Sequence, residues 1–294
     1  YVATFIMALG NGTVEAVVNP AVTTMFPKEK TKRLNFLHAG WPAGLILGGI
    51  MALTMGPQTS WRLKISLVLL PSIAYAILMF SRRFPVNERV KAGVSYLEML
   101  KEVGIGGALI IVSLIVFQIG SVFGWSTATN IIITLLVVAF FGFYVRSMGR
   151  PLFSIMLLIM LPLAITELGT DSWISDLMGP AMADIGLQGG WILVYTSTIM
   201  VILRFSAGSI IHRISPLGLL GVCSFIAAIG LFLLSSSSGI MILVAATVFG
   251  LGKSFFWPTM LGVVSERFPK GGALTLNIAG GVGMIGAGVL GAVI

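Results

Sequence analysis

Apolar stretches of about 20 residues, separated by short polar or charged segments, fill the sequence from end to end. A helix that rises about 1.5 Å per residue needs about 20 residues to cross a hydrocarbon layer about 30 Å thick. Hydrophobic residues make up 57% of the chain and charged residues only 10%, whereas about a quarter of an ordinary soluble domain is charged. The pattern excludes a water-soluble fold and predicts a membrane protein with many spans.

Ten candidate spans follow from the runs that carry few charges and end at turn or charged residues. They are 1–25, 35–56, 62–80, 104–123, 127–145, 152–170, 190–211, 217–235, 239–262 and 272–294. The strands of a membrane β-barrel would be about ten residues long and would alternate in hydropathy, and these runs do neither. The predicted fold class is all-α, a polytopic helical membrane protein.

Most lysines and arginines fall on one side of the membrane if the first span ends inside. These fourteen of the eighteen cations are Lys28, Lys30, Lys32, Arg33, Arg82, Arg83, Arg89, Lys91, Lys101, Arg146, Arg150, Arg213, Arg267 and Lys270. Cations near span ends are retained on the cytoplasmic side, so this distribution predicts the orientation and a cytoplasmic (inner) membrane location. It also explains the net charge of +8 without a nucleic-acid partner.

The sequence contains an internal repeat with a constant offset. Residues 26–35 (FPKEKTKRLN) align with 268–277 (FPKGGALTLN). The identical pairs are Phe26/Phe268, Pro27/Pro269, Lys28/Lys270, Leu34/Leu276 and Asn35/Asn277. In both copies a span leads into a short cytoplasmic loop and then into a glycine-rich span. Both copies have the same direction, so the repeat is parallel, as in transporters built from two related bundles.

With this repeat and a charged interior segment at Ser81 to Gly104, the chain resembles the major facilitator superfamily, whose two six-helix bundles are joined by a cytoplasmic linker. The resemblance implies alternating access, and it assigns helices four to six to 1–80, the linker to 81–103 and helices seven to eleven to 146–294. Residues 104–145 form an extra helix pair. Helices one to three and twelve are then expected in segments outside this sequence, beyond Tyr1 and Ile294.

Two motifs refine the resemblance. The segment from Gly10 to Pro20, GNGTVEAVVNP, is similar to the fucose-permease branch of sugar:proton symporters, in which a glutamate of the fourth helix recognises sugar. This implies a substrate-binding role for Glu15. Residues 208–213, GSIIHR, look like the Gly-x-x-x-Asp-Arg loop motif of the superfamily with His212 in place of the acid. A gating or structural role is expected for His212 and Arg213.

Polar side chains inside the spans are the candidate site residues, because charged groups in a bilayer usually face a cavity, form a pair or serve function. Glu15 has Asn11 and Asn19 one turn away on the same face, a pattern that suits the hydroxyls of a sugar. Lys253 and Trp257 lie in the repeat partner of this helix, and Asn35 begins the next span. Aligned on the prolines, Lys253 occupies the symmetry position of Glu15; aligned on the glycines, Phe255 does. The first alignment allows an ion pair between Glu15 and Lys253 across a cavity.

Other intramembrane groups have less defined roles. Glu15 and Glu167 are the proton-coupling candidates, although Glu167 lies close enough to a span end to be hydrated. Arg204 is expected to reach the cytoplasmic interface in a gating or structural role. His38 is expected to form a hydrogen bond facing the inside. Packing of membrane helices by asparagine hydrogen bonds is the alternative reading of Asn11, Asn19 and Asn35.

The predicted function is a secondary transporter that moves a small polar solute, a sugar, with protons, as a monomer in the lipid bilayer. No cofactor is expected beyond the proton gradient. Two histidines and the single Cys223 predict no metal site and no disulfide. The alternatives are an exporter of amphipathic compounds, a polytopic membrane transferase and a non-transporting sensor.

Overall fold

The computed structural model describes residues 2–56 and 58–290, and the expectations at Tyr1 and Ile294 fall outside them. In chain order the α-helices are α1 Val2–Met25, α2 Lys30–His38, α3 Gly40–Thr54, α4 Trp61–Ser66, α5 Leu69–Met79, α6 Glu88–Lys91, α7 Tyr96–Phe123, α8 Thr127–Val145, α9 Pro151–Ala164, α10 Thr170–Leu177, α11 Gly179–Ala183, α12 Gly190–Phe205, α13 Ala207–Ile211, α14 Pro216–Ser236, α15 Met241–Lys253, α16 Phe256–Arg267 and α17 Gly272–Leu290. A π-helical turn, Ile165–Gly169, joins α9 to α10, and a 3₁₀ turn, Pro269–Gly271, precedes α17.

The all-α prediction is confirmed. Within the described ranges, nine helical segments are long and apolar enough to cross a bilayer, and the shorter apolar helix Gly190–Phe205 accounts for the tenth predicted span. The span predicted at 190–211 is divided by a bend at Ser206 into α12 and α13. Helix α5 has no buried residue, and its leucine, isoleucine and tyrosine side chains are exposed. Such an all-apolar surface suits lipid or a further apolar helix.

Two of the spans are interrupted near the middle. Pro162 lacks the N–H that would continue the hydrogen-bond ladder of α9, and three residues later the helix widens into the π turn Ile165–Gly169. Helix α15 ends at Lys253, and Ser254 and Phe255 separate it from α16; Phe255 has φ −108° and ψ 1°. Interruptions of this kind free backbone groups for other partners.

Helix α7 has a third irregularity at Gly104, where φ is 57° and ψ is −171°. The bend separates Tyr96–Val103 from the apolar remainder of the helix. The loop between α8 and α9 supplies the missing partners: the Ile105 N–H donates to the Ser147 carbonyl over 2.9 Å, and the Gly106 N–H donates to the Met148 carbonyl over 3.1 Å. A side chain at Gly104 would collide with the Gly149 backbone, so glycine is required there.

The parts of the internal repeat pack reciprocally. Helix α1 packs on α17, and α2 packs on α16, which is the pairing that a twofold axis along the membrane normal would generate. The hydrophobic core lies among α9, α12 and α14 to α17 and includes Phe153, Met160, Phe249 and Trp257. Helix α12 also packs on α3, so the early and late parts of the chain meet along two seams.

Candidate functional site

A cavity of about 340 Å³ lies where these seams meet. It is lined by residues of α1, α2, α3, α12, α16 and α17 and by the π turn. Its polar and aromatic lining side chains are Asn11, Glu15, Asn19, His38, Trp41, Glu167, Arg204, Trp257 and Asn277. Most were predicted from the sequence as intramembrane polar groups, and the structure brings them to one place.

Six of the lining residues form a closed cycle of hydrogen bonds, called the polar ring below. Its members, in order, are Glu15, Asn19, His38, Arg204, Glu167 and Trp257. They come from α1, α2, α12, the π turn and α16. The cycle therefore ties the early part of the chain to the late part at the level of the cavity.

The Glu15 side of the polar ring faces the cavity. Its Oε1 accepts hydrogen bonds from Asn19 Nδ2 (2.9 Å) and from Trp257 Nε1 (3.2 Å), and its side chain is 34% exposed. Asn19 Oδ1 in turn lies 2.9 Å from His38 Nε2. An amide oxygen can only accept, so with this amide orientation Nε2 carries the hydrogen. Glu15 is thus oriented by two donors while part of its carboxylate stays open to a ligand.

The Arg204 side of the ring is closed to solvent. Arg204 is 1% exposed, and its guanidinium donates to three acceptors: Glu167 Oε1 (2.5 Å), the His38 carbonyl (2.6 Å) and the Ser254 carbonyl (2.7 Å). The Ser254 carbonyl is available because the helix is interrupted there. The expectation that Arg204 reaches the cytoplasmic interface is wrong, since these three acceptors hold it inside.

Glu167 lies in the π turn and is 1% exposed rather than hydrated. Besides pairing with Arg204, its Oε2 accepts the backbone N–H of Trp257 at 3.0 Å. That N–H belongs to the first turn of α16, where backbone donors lack partners within the helix. A carboxylate is favoured at this end of a helix. Both interruptions of the spans thus meet at one ion pair.

Lys253 forms a separate buried ion pair with Asp171. The possible Glu15–Lys253 pair is therefore not found, because Asp171, one turn beyond Glu167, already holds the lysine. Lys253 is 0% exposed and does not line the cavity. Asp171 was not among the candidate residues named from the sequence; its spacing of four residues from Glu167 was the available signal.

The remaining predicted residues divide between the cavity and its surroundings. Asn11 lines the cavity with an exposed side chain. Asn35 does not: it is fully buried and donates to the Thr31 carbonyl and to Thr259 Oγ1, while its repeat partner Asn277 lines the cavity instead. His212 and Arg213 are exposed just beyond α13. Near them, Gly208 lies against the aliphatic part of Lys32.

The family model of the Major Facilitator Superfamily matches residues 1–292. The chain belongs to the Major Facilitator Superfamily. It is accordingly an integral, multi-pass membrane protein and a secondary transporter of that superfamily. No curated protein and no solved structure matches the chain. The likeness to the fucose-permease branch and the division into linker, inserted pair and bundles stay predictions.

Membership in the superfamily makes the cavity a candidate solute site. In many secondary transporters the solute site lies between two related groups of helices. In this superfamily member, the cavity lies between α1 to α3 on one side and α12, α16 and α17 on the other. The polar ring crosses that division and joins side chains from both sides.

Proposed function

We propose that the chain moves a neutral, hydroxyl-rich solute of the sugar class together with protons, by alternating access. The proposal rests on the surroundings of the Glu15 side chain. Its carboxylate is oriented by two N–H donors, opens onto the cavity, and has no lysine or arginine as an ion-pair partner within the described ranges. A carboxylate in this setting can accept a proton or the hydroxyl hydrogens of a solute.

The rest of the lining suits a sugar. Asn11 and Asn277 face the cavity from α1 and α17, and each amide offers both donors and an acceptor. Trp41 and Trp257 add aromatic surface from opposite sides. A pyranose presents hydroxyls at its edge and C–H groups on its faces, so amides with aromatic rings match its chemistry.

The charge balance favours a neutral solute over an anion. Arg204 is the lining cation, and each of the three nitrogens of its guanidinium already donates to an acceptor. It pairs with Glu167, so that pair contributes no net charge. Glu15 is left as the unbalanced carboxylate, and a proton that neutralises it would lower the cost of moving the site through a low-dielectric environment. This balance supports the proposed coupling to protons.

Contacts beyond the cavity support alternating access. On the side of the α1–α2 loop, Thr31 Oγ1 donates to Glu266 Oε1 (2.7 Å), and Asn35 Nδ2 lies 3.4 Å from Thr259 Oγ1. Gly262 allows α16 to approach α2 closely, since a side chain there would meet Thr31. These contacts between α2 and α16 close one side of the cavity. Passage of a solute on that side therefore requires the two helices to separate.

The test is uptake into proteoliposomes under an imposed proton gradient, across a panel of labelled neutral sugars. Glu15→Gln keeps an acceptor for Asn19 and Trp257 but cannot take up a proton. We expect it to lower gradient-driven accumulation at least about tenfold, the scale of one hydrogen bond to a charged group, while sugar exchange without a gradient persists.

Asp176→Asn, which neutralises an exposed acid in α10, is the matched control and should accumulate sugar normally. Accumulation by Glu15→Gln at the wild-type level would remove Glu15 from proton coupling. Wild-type protein that transports no sugar but moves amphipathic cations would instead favour the exporter.

A further inference from the structure

We infer that Trp257 is a positioning residue that transmits the state of Glu15 to the buried Glu167–Arg204 pair. The inference rests on the proposed function and goes beyond it, because it assigns the connection between the solute-facing acid and the buried ion pair to one residue. Trp257 is the residue of the polar ring that contacts both carboxylates: its indole N–H donates to Glu15 and its backbone N–H to Glu167.

The two bonds of Trp257 cannot change independently. The backbone N–H belongs to the first turn of α16, Trp257 is only 5% exposed, and its indole lies in contact range of Gly283 of α17. A side chain at Gly283 would meet the indole at 2.6 Å and Met160 at 2.8 Å, so glycine at that position makes room for the ring. Movement of the indole away from Glu15 must therefore shift the start of α16 or its packing against α17.

A shift of the start of α16 acts directly on the buried pair. Glu167 holds the Trp257 N–H with Oε2 and Arg204 with Oε1, and Arg204 also holds the carbonyls of Ser254 and His38. A proton or a solute hydroxyl that binds Glu15 reduces the negative charge that the indole N–H donates to, so the hydrogen bond from Trp257 weakens. The connection through Trp257 then loosens, and the change reaches the interruption at Ser254–Phe255 and the end of α2.

The charged and titratable groups around this connection are few. Glu15 faces His38, whose Nε2 lies 3.8 Å from the carboxylate. Glu167 faces Arg204, and the Asp171–Lys253 pair lies one helical turn further on. Trp257 connects Glu15 directly to Glu167. The other path between these two acids within the ring is longer and passes through Asn19, His38 and Arg204.

A role as a plain stacking surface for the sugar makes a different prediction. Phe in place of Trp257 keeps an aromatic face and the backbone N–H and removes the indole N–H alone. If stacking were the whole role, Trp257→Phe would change affinity for sugar without separating sugar movement from proton movement. Trp41→Phe is the matched control, because Trp41 also lines the cavity but contacts neither carboxylate among the hydrogen bonds of the described residues.

The experiment compares wild type, Trp257→Phe and Trp41→Phe in proteoliposomes, with two readouts: sugar exchange at equal pH and sugar accumulation driven by a proton gradient. We expect Trp257→Phe to keep exchange within about threefold of wild type and to lose about tenfold or more of its accumulation ratio, the scale of one hydrogen bond to a charged group. Trp41→Phe should lower both readouts together. Accumulation by Trp257→Phe at the wild-type ratio would overturn the inference.

Two additions keep the test decisive. Glu15→Gln with Trp257→Phe should accumulate no less sugar than Glu15→Gln alone, because Gln has a single protonation state and leaves Trp257 no change to transmit; additive losses would contradict the inference. If Trp257→Phe does not reach the membrane, Trp257→Met, which is a large apolar side chain without an N–H or O–H donor, is measured in the same way. A wild-type protein that shows no proton-driven sugar uptake refutes the proposed function itself, whereas coupled wild type with coupled Trp257→Phe refutes only the role of Trp257.

Discussion

Arg204 shows how a charge can be kept inside a membrane protein. Taking a guanidinium and a carboxylate out of water costs several kcal/mol for each, and the cost is met only when the geometry is good and the remaining polar atoms are satisfied. Here each acceptor of Arg204 comes from a different part of the chain: the π turn, the end of α2 and the interruption before α16. The two helix irregularities thus supply the partners that make the charge tolerable.

The first residue-scale prediction concerns the cost of breaking this pair. Arg204→Met leaves the Glu167 carboxylate buried without a cation, so we expect a loss of about 3–5 kcal/mol in the free energy of unfolding. The double variant Glu167→Gln with Arg204→Met removes both charges and should be more stable than Arg204→Met alone. The measurement is the thermal denaturation midpoint in detergent, with the exposed Arg83→Met as control. A double variant no more stable than Arg204→Met would contradict the ion-pair account.

At the scale of elements, the contact between α17 and α16 depends on a glycine. A Cβ at Gly283 would lie 2.6 Å from Trp257 Cζ3, and the indole cannot move aside as easily as the Met160 end that it also meets. Gly283→Ala should therefore destabilise the protein by about 1–3 kcal/mol, the usual cost of overpacking, and should impair transport. Gly288→Ala on the same helix meets nothing within 4 Å. Both variants gain the same helix propensity from the change of glycine to alanine, so the difference between their thermal denaturation midpoints reports the packing alone. Equal midpoints would refute the packing argument.

The spans were predictable from the sequence because their length and apolar composition are local properties. The interruptions were not, because Pro162 and the segment at Ser254 adopt their geometry only when partners such as Arg204 and Glu167 complete them. The same limit applies to the site. Glu15, Asn19 and Trp257 could be named as intramembrane polar or aromatic residues, but their closure into a ring depends on long-range packing. The Lys253–Asp171 pair was missed because sequence symmetry directed attention to Glu15.

At the scale of the whole molecule, the proposed alternating access makes the contacts on the α1–α2 side of the cavity a feature of one conformation of the transporter. Besides the Thr31–Glu266 bond, Lys30 forms an ion pair with Glu88 at 2.6 Å, with side chains 8% and 33% exposed. Glu88 begins α6, which also packs on the 3₁₀ turn Pro269–Gly271. The segment around α6 therefore holds together the two loops of the internal repeat. Contacts present in only one conformation set its population relative to the others.

Removal of Lys30 should shift that population. The measured quantity is the rate at which a cysteine in the cavity is alkylated from the side of the α1–α2 loop. We expect Lys30→Met to raise this rate by about threefold to tenfold, which corresponds to the loss of about 1 kcal/mol of contact energy. The reporter is Asn277→Cys in a Cys223→Ser background, treated with an impermeant maleimide in inside-out vesicles.

Lys32→Met is the matched control for this shift. Lys32 pairs with Glu29 three residues away, at the start of α2, so the ion pair does not hold separate parts of the molecule together, and Met keeps an aliphatic side chain beside Gly208. Hydrogen bonds from Lys32 and then Arg33 keep the pKa of the Glu29 carboxyl below its usual range. Arg33 donates to Glu29 Oε2 on its own account, so this contact does not depend on Lys32. Faster alkylation in Lys30→Met but not in Lys32→Met is the expected result. Equal rates in both variants would show that the Lys30–Glu88 pair does not hold this side closed.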